Sequence, residues 1–222
     1  MRSCELRELG RIDYVRTAAL QKELVESRKQ GLIPDKLLIL EHPHVITLGR
    51  NALSGHLLAG EEVLRRAGIA LYHTDRGGDI TYHGPGQVVG YPILDLREWK
   101  RDVVAYVRAV EHVLIDALAE LGVAAGRIAG LTGVWAEGAK VAAIGIHISR
   151  WITSHGFALN VNTDLCYFQY IVPCGLTQPV TSLEQLGCPA TGPEVVNAIA
   201  RSFARVFECE IVTPALVMEN NS

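Results

Sequence analysis

The stretch that decides the fold class is residues 133–161, GVWAEGAKVAAIGIHISRWITSHGFALNV. Two apolar runs, Gly133–Ala136 and Lys140–Ile148, flank a Glu137-Gly138 turn, which is the pattern of a β-hairpin. After a second turn, Ile152–Val161 has the composition of a further strand. We therefore expect this stretch to form successive strands of one sheet.

Helical patterns lie on both sides of these strands. The clearest covers Val103–Leu121, with Asp102 as its predicted cap. Another begins at the capping box Thr191–Glu194, and a third covers about Tyr14–Lys29, with Asp13 as its predicted cap. Shorter elements are predicted as strands at Lys36–Glu41, Val45–Gly49, Ile69–His73 and Val88–Leu96 and as a helix at Glu61–Ala67. Because helices and strands alternate without a regular βαβ repeat, we expect an α+β fold. It should be a single domain over residues 1–222, with a mixed β-sheet flanked by helices.

The composition favours a soluble globular protein that binds neither nucleic acid nor membranes. The 222 residues include 21 Lys and Arg against 24 Asp and Glu, a formal net charge of −3, so no global positive field would gather polyanions. Hydrophobic residues make up 49%, but no apolar run reaches the ~18–20 residues that a spanning helix needs. The first residues, Met1–Leu6, lack the apolar core of a signal peptide. We expect a cytoplasmic location.

The densest group of unusual residues is Arg76–Gln87, RGGDITYHGPGQ. Its glycines and proline are typical either of an ordinary surface loop or of backbone that a ligand approaches closely. Hydrogen-bonding side chains stand among them, at Arg76, Thr81, His83 and Gln87. The segment lacks the Gly-Lys-Ser/Thr ending of a phosphate-binding loop and does not match Gly-x-Gly-x-x-Gly. We interpret it as the wall of a substrate site.

A second candidate is Cys174, which lies between Pro173 and Gly175. The proline holds the entering backbone extended, and the glycine leaves room for an approaching substrate. A nucleophilic thiol and a buried structural thiol both remain open on this local pattern. A nucleophile would need a partner that favours the thiolate.

Three side chains are candidates for that partner: Lys140, His83 and His155. Lys140 begins an apolar run, and strand alternation predicts that it shares a face with Ala142, Ile144 and Ile146. A lysine that extends from a strand end into water would fit the same pattern. A histidine that is satisfied inside the core would equally explain His155.

The other four cysteines, Cys4, Cys166, Cys188 and Cys209, are spaced irregularly. The sequence contains no Cys-x-x-Cys and no His-x-x-x-His, so it offers no ligand pattern for structural zinc. An odd number of cysteines without a secretion signal also argues against a disulfide framework. We expect structural roles for these four residues and no metal site.

Taken together, four segments resemble the octanoyltransferases, also called lipoate-protein ligase B. Arg76–Gln87 matches the family pattern Arg-Gly-Gly-x-x-Thr-aromatic-His-x-x-Gly-Gln at every fixed position. With His42–Arg50, Gly133–Asn162 and Pro173–Leu183, the likeness covers most of the chain in family order. The resemblance implies the fold shared by the lipoate and biotin protein ligases.

The resemblance also implies a site and a reaction. Cys174 would be the nucleophile that carries the acyl group as a thioester, and Lys140 would lower its pKa and move protons. The implied substrate-binding residues lie in three segments: Arg76, Gly77, Gly78, Asp79, Ile80, Thr81, Tyr82 and His83; Ala142, Ala143 and Ile144; and His155, Gly156 and Phe157. The implied donor is an octanoyl group on the phosphopantetheine of acyl carrier protein. The implied acceptors are lipoyl domains of 2-oxoacid dehydrogenase complexes and the glycine cleavage H protein, with no ATP, metal or other cofactor.

Three other functions remain open. An ATP-dependent lipoate or biotin ligase on the same fold would activate its acid as an adenylate. A hydrolase that pairs Cys174 with His83 or His155 would cleave thioesters without an acceptor protein. A module that only binds acyl chains would form no covalent adduct.

Overall fold

The computed structural model describes residues 2–172 and 178–213 of the chain. Its strands are β1 Arg2–Arg11, β2 Asp35–Glu41, β3 Val45–Leu48, β4 Ala70–His73, β5 Ile80–His83, β6 Gln87–Ile93, β7 Val134–Ala136, β8 Ala139–Ser149, β9 Ile152–Asn160 and β10 Cys209–Val212. Its α-helices are α1 Tyr14–Lys29, α2 Glu61–Arg66, α3 Val103–Glu120 and α4 Gly192–Phe207. Two 3-10 helices cover Ser54–His56 and Leu165–Tyr170.

The strands form two sheets. The larger has seven strands in the order β10-β1-β2-β6-β9-β8-β7, and the smaller has three in the order β4-β3-β5. In the larger sheet β1 runs parallel to both β10 and β2, whereas β2, β6, β9, β8 and β7 pair antiparallel. This confirms the predicted α+β fold with a mixed sheet flanked by helices.

Each face of the larger sheet supports a hydrophobic core. One face packs under α3 and α4, where Leu114, Ile199 and Phe203 are almost completely buried. The other face packs under α1, through Leu24 and Val25. A third, smaller core joins the three-stranded sheet to α2 and to the 3-10 helix Leu165–Tyr170. The larger sheet therefore has helices on both sides, and the smaller sheet lies next to α1.

The helix ends follow the predicted capping residues. Asp13 Oδ1 accepts from Val15 N at 2.8 Å at the start of α1. Asp102 Oδ1 accepts from Ala105 N at 2.9 Å at the start of α3. The capping box of α4 forms between Thr191 and Glu194, as its sequence predicts.

The prediction that Lys140 lies on the same strand face as Ala142 is wrong. Opposite Val134 and Trp135 of β7, the strand β8 presents Ala142 and Lys140, so β8 carries one extra residue at this point. Such a bulge shifts the side-chain alternation by one residue. Lys140 therefore lines a cavity with Ala143, while Ala142 packs in the main core.

Glu111 of α3 holds the chain at the entry to β7. Its side chain is fully buried and accepts from Arg108 Nη1 at 2.7 Å, from Arg127 Nε at 2.8 Å and from Gly133 N at 3.2 Å. Gly133 has a φ of 134°, and a Cβ there would lie 2.8 Å from the carbonyl oxygen of Ala142. Glu111 thus fixes a backbone turn that only glycine fits, next to the strand that carries Lys140.

We expect Glu111→Ala to lower the free energy of unfolding by about 2 kcal/mol, because it leaves the buried Gly133 N–H without an acceptor. The two arginines are half-exposed and regain water, so they add little to this loss. Urea denaturation measures the change. The control is Glu23→Ala on the exposed face of α1, which should stay within about 0.5 kcal/mol of the parent protein. Equal losses in the two variants would contradict the assigned role.

Candidate active site

A cavity lies between the larger sheet, the smaller sheet and the first turn of α1. The larger sheet contributes the segments 143–145 and 155–158 together with Tyr91, and α1 contributes Tyr14. The smaller sheet and the segment before it contribute Thr47, Arg76, Gly78, Thr81 and His83. The cavity encloses about 460 Å³ of empty space, part of it open to solvent. Its walls are mainly apolar, as is usual for sites that bind small ligands.

A second, narrower cavity reaches Lys140. Its walls include Lys140, Gln87, Asn160, Phe168 and Val180. Three residues line both cavities: Thr81, Ala143 and Ala158. The two cavities therefore lie next to each other along β8 and β9, and we call them together the β8–β9 groove.

Lys140 lies at one end of the groove. Its side chain is buried, and its Nζ lies 5.0 Å from the centroid of the Trp135 ring, a cation–π arrangement. Among residues 2–172 and 178–213, no carboxylate forms an ion pair with this ammonium. A buried ammonium without a carboxylate partner is well suited to hold another anion, such as a thiolate.

The backbone of Lys140 is joined to the chain that follows Cys174. Lys140 N donates to the carbonyl oxygen of Pro179 at 2.8 Å, and Thr181 N donates to the carbonyl oxygen of Lys140 at 2.9 Å. Cys174 itself lies outside the described residues. Residues 179–181 nevertheless bring the chain to Lys140 within a few positions of that cysteine.

The predicted substrate segment 76–83 divides between the groove and the smaller core. Arg76, Gly78, Thr81 and His83 line the groove. The residues that face away from it are Asp79, which accepts from Leu53 N at 3.2 Å, and the fully buried Ile80 and Tyr82. Gly77 N donates to the carbonyl oxygen of Ile146 at 2.8 Å and so attaches the segment to β8. Strand alternation in β5 explains why only some of these residues reach the groove.

The guanidinium of Arg76 is buried in the wall of the groove. It donates to the carbonyl oxygen of Thr47 at 2.7 Å, to Thr47 Oγ1 at 2.9 Å and to the carbonyl oxygen of Gly77 at 3.1 Å. These contacts explain why a cation is tolerated here, since a buried charge must be hydrogen-bonded. They also attach the segment that contains Arg76 to Thr47 of β3.

His83 begins a chain of side-chain hydrogen bonds. His83 Nδ1 donates to Gln87 Oε1 at 2.8 Å, Gln87 Nε2 donates to Asn160 Oδ1 at 2.9 Å, and Asn160 Nδ2 donates to the carbonyl oxygen of Thr181 at 2.9 Å. Burial lowers the pKa of His83 to about 3, and the nearby His42 contributes. The imidazole is therefore neutral near pH 7 and cannot hold a thiolate as a cation would.

The segments 142–144 and 155–157 supply the floor of the groove. Ala143, Ile144 and all of 155–157 line it, whereas Ala142 packs in the main core. His155 has a φ of 54°, a left-handed backbone that is uncommon for a residue with a side chain. Its Nε2 donates to Asp75 Oδ1 at 2.8 Å, which lowers the pKa of Asp75 to about 2.

The site residues that were predicted from the sequence did not include Tyr14, Thr47, Asp75 or Asn160. Asp75 directly precedes the glycine-rich segment, and this position is its one local signal in the sequence. Tyr14 and Thr47 come from elements distant in sequence and carry no local signal. Their place in the site depends on how the elements pack.

The remaining cysteines lie apart from the groove. Cys4 and Cys209 are buried in the main core, Cys188 is half-buried and Cys166 is exposed. Within the described parts of the chain, no group of three His, Cys, Asp or Glu side chains is placed to hold a metal ion. No helix among the same residues is long and apolar enough to cross a membrane.

Comparison with known proteins places the chain in a family. Residues 13–204 match the lipoyl protein ligase A/B catalytic domain. The octanoyltransferase of Solibacter usitatus (strain Ellin6076) is 63% identical over 215 residues, 97% of this chain and 98% of that protein. The octanoyltransferase of Koribacter versatilis (strain Ellin345) is 52% identical over 211 residues, 92% and 84% of the two chains. The structure of protein Ta0514 from T. acidophilum shares the fold, with a TM-score of 0.78 at 17% identity over 97% of this chain and 90% of its own. The sequence-based resemblance is thus confirmed, and the chain belongs to the octanoyltransferases of the lipoyl protein ligase A/B catalytic domain family.

Proposed function

We propose that this protein transfers an octanoyl group from acyl carrier protein, through a thioester on Cys174, to a lysine of a lipoyl domain. The observation that carries the proposal is the β8–β9 groove, two adjacent and mainly apolar cavities of which one is lined by the buried Lys140 ammonium. Each methylene that leaves water for such a channel contributes ~0.8 kcal/mol, so an eight-carbon chain is held firmly. The reacting carbonyl then lies at the Lys140 end.

In the first step the Cys174 thiolate attacks the thioester carbonyl carbon. A new carbon–sulfur bond forms, the bond to pantetheine breaks, and the departing thiolate takes a proton from the Lys140 ammonium. Because one thioester replaces another, the step is nearly balanced and needs no ATP. The pairing of residues 179–181 with Lys140 supports this assignment, since it brings the chain that follows Cys174 to the lysine.

In the second step the ε-amine of the acceptor lysine attacks the Cys174 thioester. Lys140, now neutral, takes the proton that the attacking amine loses, and Cys174 leaves as a thiolate. The product is an amide, which is more stable than the thioester and makes the transfer favourable. The acceptors that we propose are lipoyl domains of 2-oxoacid dehydrogenase complexes and the glycine cleavage H protein.

The arrangement of the histidines favours this reaction over a Cys–His hydrolase. His83 stays neutral because its pKa is about 3, and its Nδ1 is engaged by Gln87. His155 is hydrogen-bonded to Asp75 and lies with Tyr14 at the end of the groove away from Lys140. Lys140 is therefore the better partner for the thiol.

We expect Cys174→Ala to abolish transfer, because no other thiol lines the groove within the described residues. Octanoyl carrier protein is incubated with the enzyme without ATP, and intact mass spectrometry detects one octanoyl group on the parent protein and none on the variant. Cys166→Ala, at an exposed cysteine, is the matched control and should keep the adduct. A dependence on ATP would indicate a ligase, and the absence of any adduct on the parent would indicate a binding module.

We expect Lys140→Met to slow octanoyl transfer by about 10²–10⁴-fold, the usual contribution of a positioned acid–base group. Methionine keeps much of the buried stem and removes the ammonium. Alkylation of Cys174 by iodoacetamide, followed against pH, should move to higher pH in the variant, because the thiolate loses its cation. Lys100→Met, at an exposed lysine, is the control and should leave rate and pH profile unchanged. An unchanged alkylation profile in Lys140→Met would exclude the assigned role.

A further inference from the structure

The carboxamide of Asn160 lines the same narrow cavity as Lys140. This cavity encloses about 300 Å³ of empty space, part of it open to solvent. Asn160 is buried at the end of β9, with 4% of its surface exposed. The proton transfers of the proposed reaction use Lys140 and leave this buried amide without a task.

Two backbone carbonyls fix the orientation of the Asn160 carboxamide. The carbonyl oxygen of Thr181 can only accept, so the amide nitrogen of Asn160 must face it, at 2.9 Å. Asn160 Oδ1 then accepts from Gln87 Nε2 at 2.9 Å, and the same nitrogen of Gln87 donates to the carbonyl oxygen of Tyr82 at 3.3 Å. Both amide hydrogens of Gln87 are thereby used. The Asn160 amide is therefore held in one direction.

The amide nitrogen of Asn160 keeps one hydrogen for a further acceptor. A primary amide carries two N–H hydrogens, and the carbonyl oxygen of Thr181 takes one of them. Within the described parts of the chain, the second hydrogen has no acceptor. Because an unpaired buried donor costs free energy, a substrate oxygen that pairs with it is favoured.

Few side chains around this cavity can donate a hydrogen bond. Those of the described lining residues that carry N–H or O–H groups are Thr81, Gln87, Lys140 and Asn160. Gln87 has no hydrogen left, and the Lys140 ammonium is needed to hold and protonate sulfur. Among residues 2–172 and 178–213, no side-chain hydrogen bond fixes the direction of the Thr81 hydroxyl. Asn160 is the donor that is both available and already oriented, as stabilisation of a developing charge requires.

A single residue joins this amide to the backbone of Lys140. Thr181 N donates to the carbonyl oxygen of Lys140 at 2.9 Å, and the carbonyl oxygen of the same Thr181 accepts from Asn160. The N and O atoms of one residue lie close together, so Asn160 lies beside the strand end that carries Lys140. The donor and the proposed acid–base group thus meet where the chain returns from Cys174.

We propose that Asn160 Nδ2 donates a hydrogen bond to the thioester carbonyl oxygen while that oxygen is an oxyanion. This inference rests on the proposed function. When the Cys174 thiolate bonds to the carbonyl carbon, one electron pair of the C=O bond moves to the oxygen. When the pair returns, the bond to the pantetheine sulfur breaks. Asn160 gives up no proton, so the proton transfers stay with Lys140, and the fixed amide stabilises the charged oxygen more than the neutral carbonyl.

The test is Asn160→Ala. At saturating octanoyl carrier protein, we expect the rate of octanoyl adduct formation, followed by intact mass spectrometry of quenched samples, to fall on the order of 10²–10³-fold. The KM for the carrier protein should stay unchanged, because the donor acts in the transition state. Alkylation of Cys174 by iodoacetamide displaces iodide from a saturated carbon and forms no oxyanion. Its rate and pH profile, read from the Cys174 peptide, should therefore equal those of the parent protein.

The alkylation measurement separates this role from a structural one. If Asn160 only positioned the segment 179–181, its loss would slow alkylation and transfer together, and that result overturns the proposal. A transfer rate within about threefold of the parent rate also overturns it, since an oxyanion donor contributes far more. Asn160→Ser, which keeps a hydroxyl for the neighbouring polar groups, decides the question if the alanine variant does not fold.

The matched control is Gln185→Ala. Gln185 is exposed and accepts from the side chain of Thr181, Oγ1 to Oε1 at 3.4 Å, but does not line the cavity. Its transfer and alkylation rates should equal those of the parent protein. An absence of octanoyl adduct on the parent protein overturns the proposed function instead of the role of Asn160.

Discussion

The antiparallel pairing of β8 with β9 is the constraint on which the rest of the structure depends. The register runs without interruption from Ala142 opposite Leu159 to Ser149 opposite Ile152. On one face these strands give Leu159 to the main core, and on the other they give Ala143 and Ala158 to the groove. A slip of one residue would exchange the two faces, so the core and the substrate channel share one determinant.

The pairing of β8 with its two neighbours, β7 and β9, places Lys140 and His155. Lys140 is brought onto the groove face by the bulge at the start of β8, and His155 lies at the level of Ile146 further along the sheet. Both residues lie on strands of the larger sheet and not on loops. The segment 76–83 then closes the groove from the smaller sheet, attached to β8 through Gly77.

Sequence patterns predicted the elements whose signals are local. The capping residues Asp13 and Asp102 and the capping box at Thr191 mark where helices begin, and the structure has helices there. The strands β1 and β10 were not predicted, because each pairs with a segment from the other end of the chain and Arg2–Arg11 is mostly polar. The predicted orientation of the Lys140 side chain was wrong for a related reason, because the bulge at the start of β8 depends on how β8 pairs with β7.

In the candidate site, too, the sequence predicted part of the arrangement and the packing of the fold determines the rest. The glycine-rich pattern and the family resemblance indicated the right segments, but only the fold separates Thr81, which lines the groove, from Ile80, which fills the smaller core. The bond between Gln21 and His155 joins residues 134 positions apart, and no local pattern announces it. Contacts between residues so distant in sequence determine which residues belong to the site, and they cannot be predicted from a local motif.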